Sequence, residues 1–146
     1  MSITHELIEV TSQLLLKRID ASWKDILYGP ETKELLDDVV EQLLNIDSTM
    51  NSVTPNIADI FNFAKYSISL TKVIIVNDSP YTSKDSNHGY ACSSVDNRMT
   101  SCLDSIFTSL HSSKMINTPK PKLKILTNWS RQGVILLNAI HTTKAN

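Results

Sequence analysis

A chain of 146 residues, 41% of them apolar and 20% charged, has the size and composition of one folded domain. Its formal net charge of -1 excludes a global positive field that would steer it onto nucleic acid, leaving a local basic stripe for that role. Its longest apolar runs are four residues, which excludes a membrane-spanning helix. Glu6 and Glu9 stand where a signal peptide would need an apolar core, so the expected setting is intracellular, nucleus or cytoplasm. Cys92 and Cys102 lie ten residues apart, with no histidines at ligand-like spacing. They read as two buried or half-buried thiols in a reducing compartment, in preference to a disulfide, and no metal site is expected.

In chain order, Ile3, Leu7, Val10, Leu14 and Leu15 recur at helical spacing, with Thr4 as cap and Glu6 in the first turn. A short helix carrying Trp23, Ile26 and Leu27 follows, with Ser22 as its expected cap and Gly29-Pro30 as its stop. From Thr32, the stripe Leu35, Leu36, Val39, Val40, Leu43 and Leu44 predicts a second long amphipathic helix. Asn45 to Pro55 reads as a polar loop, and Ile57, Ile60, Phe61 and Ala64 as a short helical segment. Met99 to Leu110 predicts a further helix with Leu103, Ile106, Phe107 and Leu110 on one side. Asn117 to Lys124, with Pro119 and Pro121, reads as a surface loop, and Val134 to Leu137 as a strand. No internal repeat and no second domain are visible, so residues 1–146 are read as one domain.

The stretch that organises these elements is Lys72 to Thr82. Val73 to Val76 are β-branched throughout, opened by a lysine and closed by Asn77-Asp78-Ser79-Pro80-Tyr81. Such a run predicts a short strand buried on both faces of a parallel sheet. Pro80 fixes its own φ and drives Ser79 out of the helical region, so the strand ends in a turn. Ligands of open α/β sheets sit at the carboxyl ends of the strands, which makes this turn the expected site.

Lys72 to Ser94 (KVIIVNDSPYTSKDSNHGYACSS) resembles the first signature of the uracil-DNA glycosylases. There an apolar strand enters a Gly-Gln-Asp-Pro-Tyr-His loop, followed by His-Gly and an aromatic-Ser pair. Trp129 to Ala145 (WSRQGVILLNAIHTTKA) resembles the second signature: a Trp, a Gln-Gly, an apolar strand, an Asn and a Thr-x-Arg-Ala tail. Weaker echoes lie at Ser22 to Leu27 and Pro55 to Phe63, so the resemblance runs in the family's order from about residue 20 to the end.

The resemblance implies an α/β domain, a partial form of the family's three-layer fold with a parallel sheet and flanking helices. Of that family's four strands, in the order 2-1-3-4, only the first two are expected, around residues 73–76 and 134–137. The apolar first strand is then left with a bare edge, an aggregation liability that points to a protein partner covering residues 73–76. The chain ends at Asn146, ahead of the family's late His-Pro-Ser loop, as in a fragment, a shortened product or a chain that borrows a partner.

The implied chemistry is hydrolysis of the N-glycosidic bond of uracil in DNA, a base-excision step with no cofactor and no metal. A flipped uracil must be held in a fitting pocket. A carboxylate favours the sugar cation, and a donor stabilises the departing base. On the Pro-Tyr alignment the family's catalytic Asp falls on Ser79, a hydroxyl that carries no charge, and its preceding Gly and Gln fall on Asn77 and Asp78. Asp78 is a substitute carboxylate one position away, but one step along an extended chain turns its side chain to the opposite side.

For base binding, the resemblance assigns Asn138 to reading uracil's edge, Tyr81 to closing the pocket against thymine's methyl group, and Cys92 to the place of the stacking ring. Ser93 and Ser101 fall to DNA phosphate, and Pro80, His88 and Gly89 to loop architecture, while Thr82 stands where the family has His. Uracil-containing DNA is the implied partner. The chemistry is expected to be impaired; a non-catalytic protein associated with DNA or a polymerase is the alternative.

Overall fold

The computed structural model describes residues 3–96, 98–117 and 124–146, so most of the 117–124 loop, Pro119 and Pro121 included, lies outside the described residues. Helix α1 (His5–Leu15) starts where Thr4 accepts a hydrogen bond from the Leu7 amide, satisfying a donor that the first helical turn leaves unpaired. Helix α2 (Lys24–Tyr28) follows a 3₁₀ turn capped by Asp20, which accepts from the Ser22 amide and hydroxyl. The cap is therefore Asp20, two residues earlier than the expected Ser22. Helix α3 (Lys33–Ile46) buries Val40 and Leu44 but leaves Leu35 and Val39 exposed, so its stripe is narrower than its sequence suggests.

Asn45 to Pro55 is not wholly loop, because it contains strand β1 (Val53–Thr54). Two 3₁₀ turns, Ile57–Asp59 and Asn62–Ala64, carry Ile60, Phe61, Phe63 and Ala64 into the core. Strand β2 (Val73–Asn77) comes next, then helix α4 (Ser101–Ser112), whose cap Thr100 accepts from the Leu103 amide. Helix α5 (Thr127–Arg131), strand β3 (Val134–Asn138) and strand β4 (Thr143–Lys144) complete the order.

β2 and β3 are parallel, in register from Val73↔Val134 to Asn77↔Asn138, with α4 and α5 in the crossover between them. β1 and β4 form a separate antiparallel pair, which the sequence had not indicated. The parallel sheet divides the apolar interior in two. On one face, Ile135 packs with Leu15, Trp23, Val40, Leu44 and the Phe61–Phe63 pair. On the other, Leu136 packs with Tyr90, Leu103, Phe107 and Leu126. Helices, sheet and helix thus form the three layers of an α/β arrangement.

The first strand departs from expectation. Val73, Ile74 and Val76 are 50%, 56% and 61% exposed, so β2 is not buried on both faces. Its apolarity is that of an inner strand, yet among the described residues it has one sheet neighbour, and the helical layers close over β3 instead.

Candidate nucleic-acid base site

The carboxyl ends of β2 and β3 meet at Asn77 and Asn138, the last pair of the register. The Asn77 Nδ2 donates to Asn138 Oδ1 at 3.0 Å and to the Ser79 carbonyl at 2.8 Å. Asn138 is 6% exposed, so this bond orients a buried amide before any ligand arrives. A carbonyl oxygen has two lone pairs, and one remains after Asn77 has been accepted. The backbone reinforces the junction: the Ala139 amide donates to the Asn77 carbonyl and the Ile140 amide to the Asp78 carbonyl, at 2.8 and 3.0 Å. By its place in the family motif, Asn77 is only the successor of a glycine. Its signal was the shared form of the two strands, four apolar residues followed by Asn.

Beyond Asn77 the loop is fastened at several points. Asp78 is exposed, Ser79 half-buried and Pro80 buried. The Tyr81 hydroxyl donates to Thr100 Oγ1 at 2.8 Å, tying the loop to the cap of α4, and burial pushes the phenol pKa above its ordinary value. Asn146 donates through its backbone and side chain to Thr82, at 3.0 and 2.9 Å, bringing the last residue against the same loop.

The Asp96 carboxylate knots the following segment. It accepts from Ser86 at 2.6 Å, from the Ser94 hydroxyl, and from the Arg98 amide at 3.1 Å. Those bonds, Ser86's first, hold its pKa well below the usual carboxylate range. Gly89 has φ +80°, and an added Cβ would meet the Asp59 carbonyl at 1.7 Å, so no other residue fits there. His88 Nε2 lies 2.8 Å from Ser93 Oγ, and burial lowers the His88 pKa against the opposing pull of Asp59.

Ser93 is fully buried. Its hydroxyl oxygen also accepts from the Leu126 amide at 2.9 Å, an internal bracing role in this structure. Ser101 is exposed in the first turn of α4. Cys92 is buried with φ +59° and forms a disulfide with Cys102, Cα to Cα 5.6 Å. This corrects the reading of two free thiols. Ten residues of separation along the chain say nothing about distance in space, and the loop folds back onto the first turn of α4.

The structure therefore gathers Asn138, Asn77 and Ser79 at one strand junction, and Tyr81, Cys92 and Ser101 around the start of α4. Among the described residues no group of acidic, histidine and cysteine side chains is arranged to hold a metal. No described helix is long and apolar enough to cross a membrane. A cavity of about 510 Å³ lined by Leu43, Ile46, Val53, Thr143 and Lys144 lies at the β1–β4 end and includes none of the sequence-derived site residues.

No family model matches the chain. Over 130 residues, 88% of its length, it is 32% identical to the uracil-DNA glycosylase of Bacillus cytotoxicus. It is 33% identical to that of Francisella philomiragia over 129 residues, 86% of its length. The chain is a homologue of the uracil-DNA glycosylases. It spans only part of them, 56% of the first relative and 58% of the second. The fold agrees: the crystal structure of mimivirus uracil-DNA glycosylase superposes with TM-score 0.76 at 20% identity, covering 100% of this chain and 55% of that one. A variant of the mimivirus protein in complex with UGI also gives 0.76, at 22% identity, covering 91% of this chain and 51% of that one. The two-stranded parallel sheet with its flanking helices is thus part of a uracil-DNA glycosylase-like α/β fold.

Proposed function

We propose that the chain is a uracil-recognising, catalytically impaired uracil-DNA glycosylase-like protein whose ligand is uracil-containing DNA. The observation that carries this reading is the buried Asn138 amide, held by Asn77 at the junction of the two strands. Asn138 Nδ2 serves as donor to a uracil carbonyl, and the remaining Oδ1 lone pair accepts from the ring N–H. Cytosine presents the opposite pattern at those two positions and is rejected. The Tyr81 ring, fixed through Thr100, acts as the wall against thymine's methyl group.

Hydrolysis needs more than recognition. Ser79 supplies no negative charge where the sugar cation develops, and Asp78 is exposed with its carbonyl taken by Ile140. Losing one group of this kind costs on the order of 10²- to 10³-fold in rate. The test measures binding and uracil release together on single-stranded DNA carrying uracil or cytosine. The expected result is preference for uracil with negligible release, and loss of about 1–3 kcal/mol of that preference in Asn138→Ala. Equal binding of both bases, or release within about 100-fold of a full-length relative, overturns the reading. The exposed β2 strand favours a second reading, a non-catalytic interaction protein, in which neither base is preferred.

A further inference from the structure

We propose that Asn77 is a specificity-determining residue: it fixes which end of the Asn138 amide meets the base and so selects uracil over cytosine, an inference that rests on the uracil reading and adds the residue that sets its polarity. A carboxamide fills the same space in two orientations, with its oxygen and its NH2 exchanged. For base reading the two have opposite consequences. With Nδ2 toward the exocyclic group, Asn138 matches the uracil carbonyl and ring N–H. Turned over, it matches the cytosine amino group and ring nitrogen.

What chooses between them is anchored in the backbone. Three successive carbonyls at the end of β2 each accept one N–H: Asn77 from the Ala139 amide at 2.8 Å, Asp78 from the Ile140 amide at 3.0 Å, and Ser79 from Asn77 Nδ2 at 2.8 Å. A carbonyl only accepts, so the Asn77 side chain must turn its nitrogen to Ser79. The second hydrogen on that nitrogen goes to Asn138, 3.0 Å away. An amide nitrogen accepts nothing, so Asn138 must answer with Oδ1. Polarity thus passes from the Ser79 carbonyl through Asn77 to Asn138. The turn keeps that carbonyl in place, because the two carbonyls before it are tied to the exit of β3 and buried Pro80 holds Ser79 out of the helical region. A reversed Asn138 would set two NH2 groups face to face at a residue only 6% exposed, where water cannot make good the lost bond. The family motif has glycine at this position, which carries no side chain for such a relay, so the device belongs to this chain.

Binding of single-stranded DNA carrying one uracil or one cytosine tests it, followed by fluorescence anisotropy, with circular dichroism confirming the fold of each variant. The 146-residue chain should bind uracil tighter by about tenfold or more. Asn77→Ala should bind both bases about alike, by gaining affinity for cytosine as Asn138 becomes free to turn. Asn77→Asp should reverse the preference, because a carboxylate only accepts and draws Asn138 Nδ2 toward itself, leaving Oδ1 for the cytosine amino group. The added charge repels both DNAs equally and cancels in the ratio. Neither gain of cytosine binding would come from a merely structural Asn77. In the ligand-free protein the Asn138 side-chain amide protons should shift downfield in Asn77→Asp, where one gains a carboxylate acceptor, and an unmoved signal overturns the proposal. Uracil preference kept in both Asn77 variants but lost in Asn138→Ala overturns this inference alone. Equal binding of the two bases by the unsubstituted chain overturns the uracil reading and this inference with it. Should Asn77→Asp fail to fold, Asn77→Ala decides: tighter cytosine binding supports the relay, and its absence ends it.

Discussion

β2 and β3 are near-twins in composition, yet the fold treats them oppositely. Each places four apolar residues before an asparagine, and they run side by side in register. Leu136 of β3 is 0% exposed, while Ile74 and Val76 of β2 are more than half exposed. β3 has helical packing on both faces, through Ile135 on one and Leu136 on the other; β2 contributes only Ile75 to that packing. An apolar β-branched run thus specifies a strand, and its surroundings decide whether the strand is core. The contrast extends to the strand ends, where β3 closes on the buried Asn138 and β2 leads into the half-buried Ser79.

The sharpest test of the contrast is truncation of one residue from each strand. Leu136→Ala should cost about 2–5 kcal/mol in denaturant unfolding, because it empties a filled core site. Ile74→Ala should cost well under that, about 1 kcal/mol or less, because the side chain is already wet. Equal losses would mean that β2 is covered in solution, and repeating the comparison at low concentration would separate self-association from burial within one chain.

At the strand ends, the comparison is of rates. In a hybrid completed with the remaining length of the Bacillus cytotoxicus relative, Ser79→Asp should raise uracil release by roughly 10²-fold or more over the hybrid that keeps Ser79. Asp78→Ala should leave that rate nearly unchanged. If both hybrids are equally active, the carboxylate role lies elsewhere, and Asp78 is the residue to examine.

Smaller is the effect of the Cys92–Cys102 disulfide, which braces the loop after β2 against α4 and has no counterpart after β3. Closing a loop of this length stabilises by roughly 2–3 kcal/mol. Reduction should lower the unfolding midpoint accordingly, and Cys102→Ser should reproduce the reduced protein.

The smallest effect follows pH, through one histidine beyond each strand. His141 stacks on Phe63 with ring centroids 5.3 Å apart. Burial lowers the pKa of both His141 and His88 below the ordinary value of 6.5. Below that value the unfolded chain binds protons that the folded chain refuses, so stability is full above about pH 6.5 and declines as the pH falls toward the folded pKa values. His141→Phe should flatten part of that decline in thermal melts at pH 5 to 7, and an unchanged slope would assign the effect to His88 or to carboxylates.

Much of the fold was legible along the chain because the signals are local. Thr4 before an amphipathic stripe, Gly29-Pro30 after a short one, and two apolar runs closed by asparagine each act through neighbouring residues. The site was legible in part. Asn138, Tyr81 and Ser79 are singled out by family motifs, whereas Asn77, Thr100 and Asp96 are not, since their bonds are to residues brought near only by folding. The β1–β4 pair was missed for a related reason: two residues per strand carry no periodicity, and their pairing joins positions about ninety apart.

By itself, then, the sequence determined the longer helices, the parallel pairing of two apolar strands and the kinship with uracil-DNA glycosylases. These follow from residue spacing and motif order, which are properties of short segments. Only the tertiary structure decided that the side chains of Val73, Ile74 and Val76 are exposed while those of Ile135 and Leu136 are buried, that Cys92 reaches Cys102, and that Asn77 orients Asn138. Each of those depends on which distant groups arrive beside a residue, because burial, disulfide geometry and side-chain hydrogen bonds are relations in space that sequence spacing does not encode.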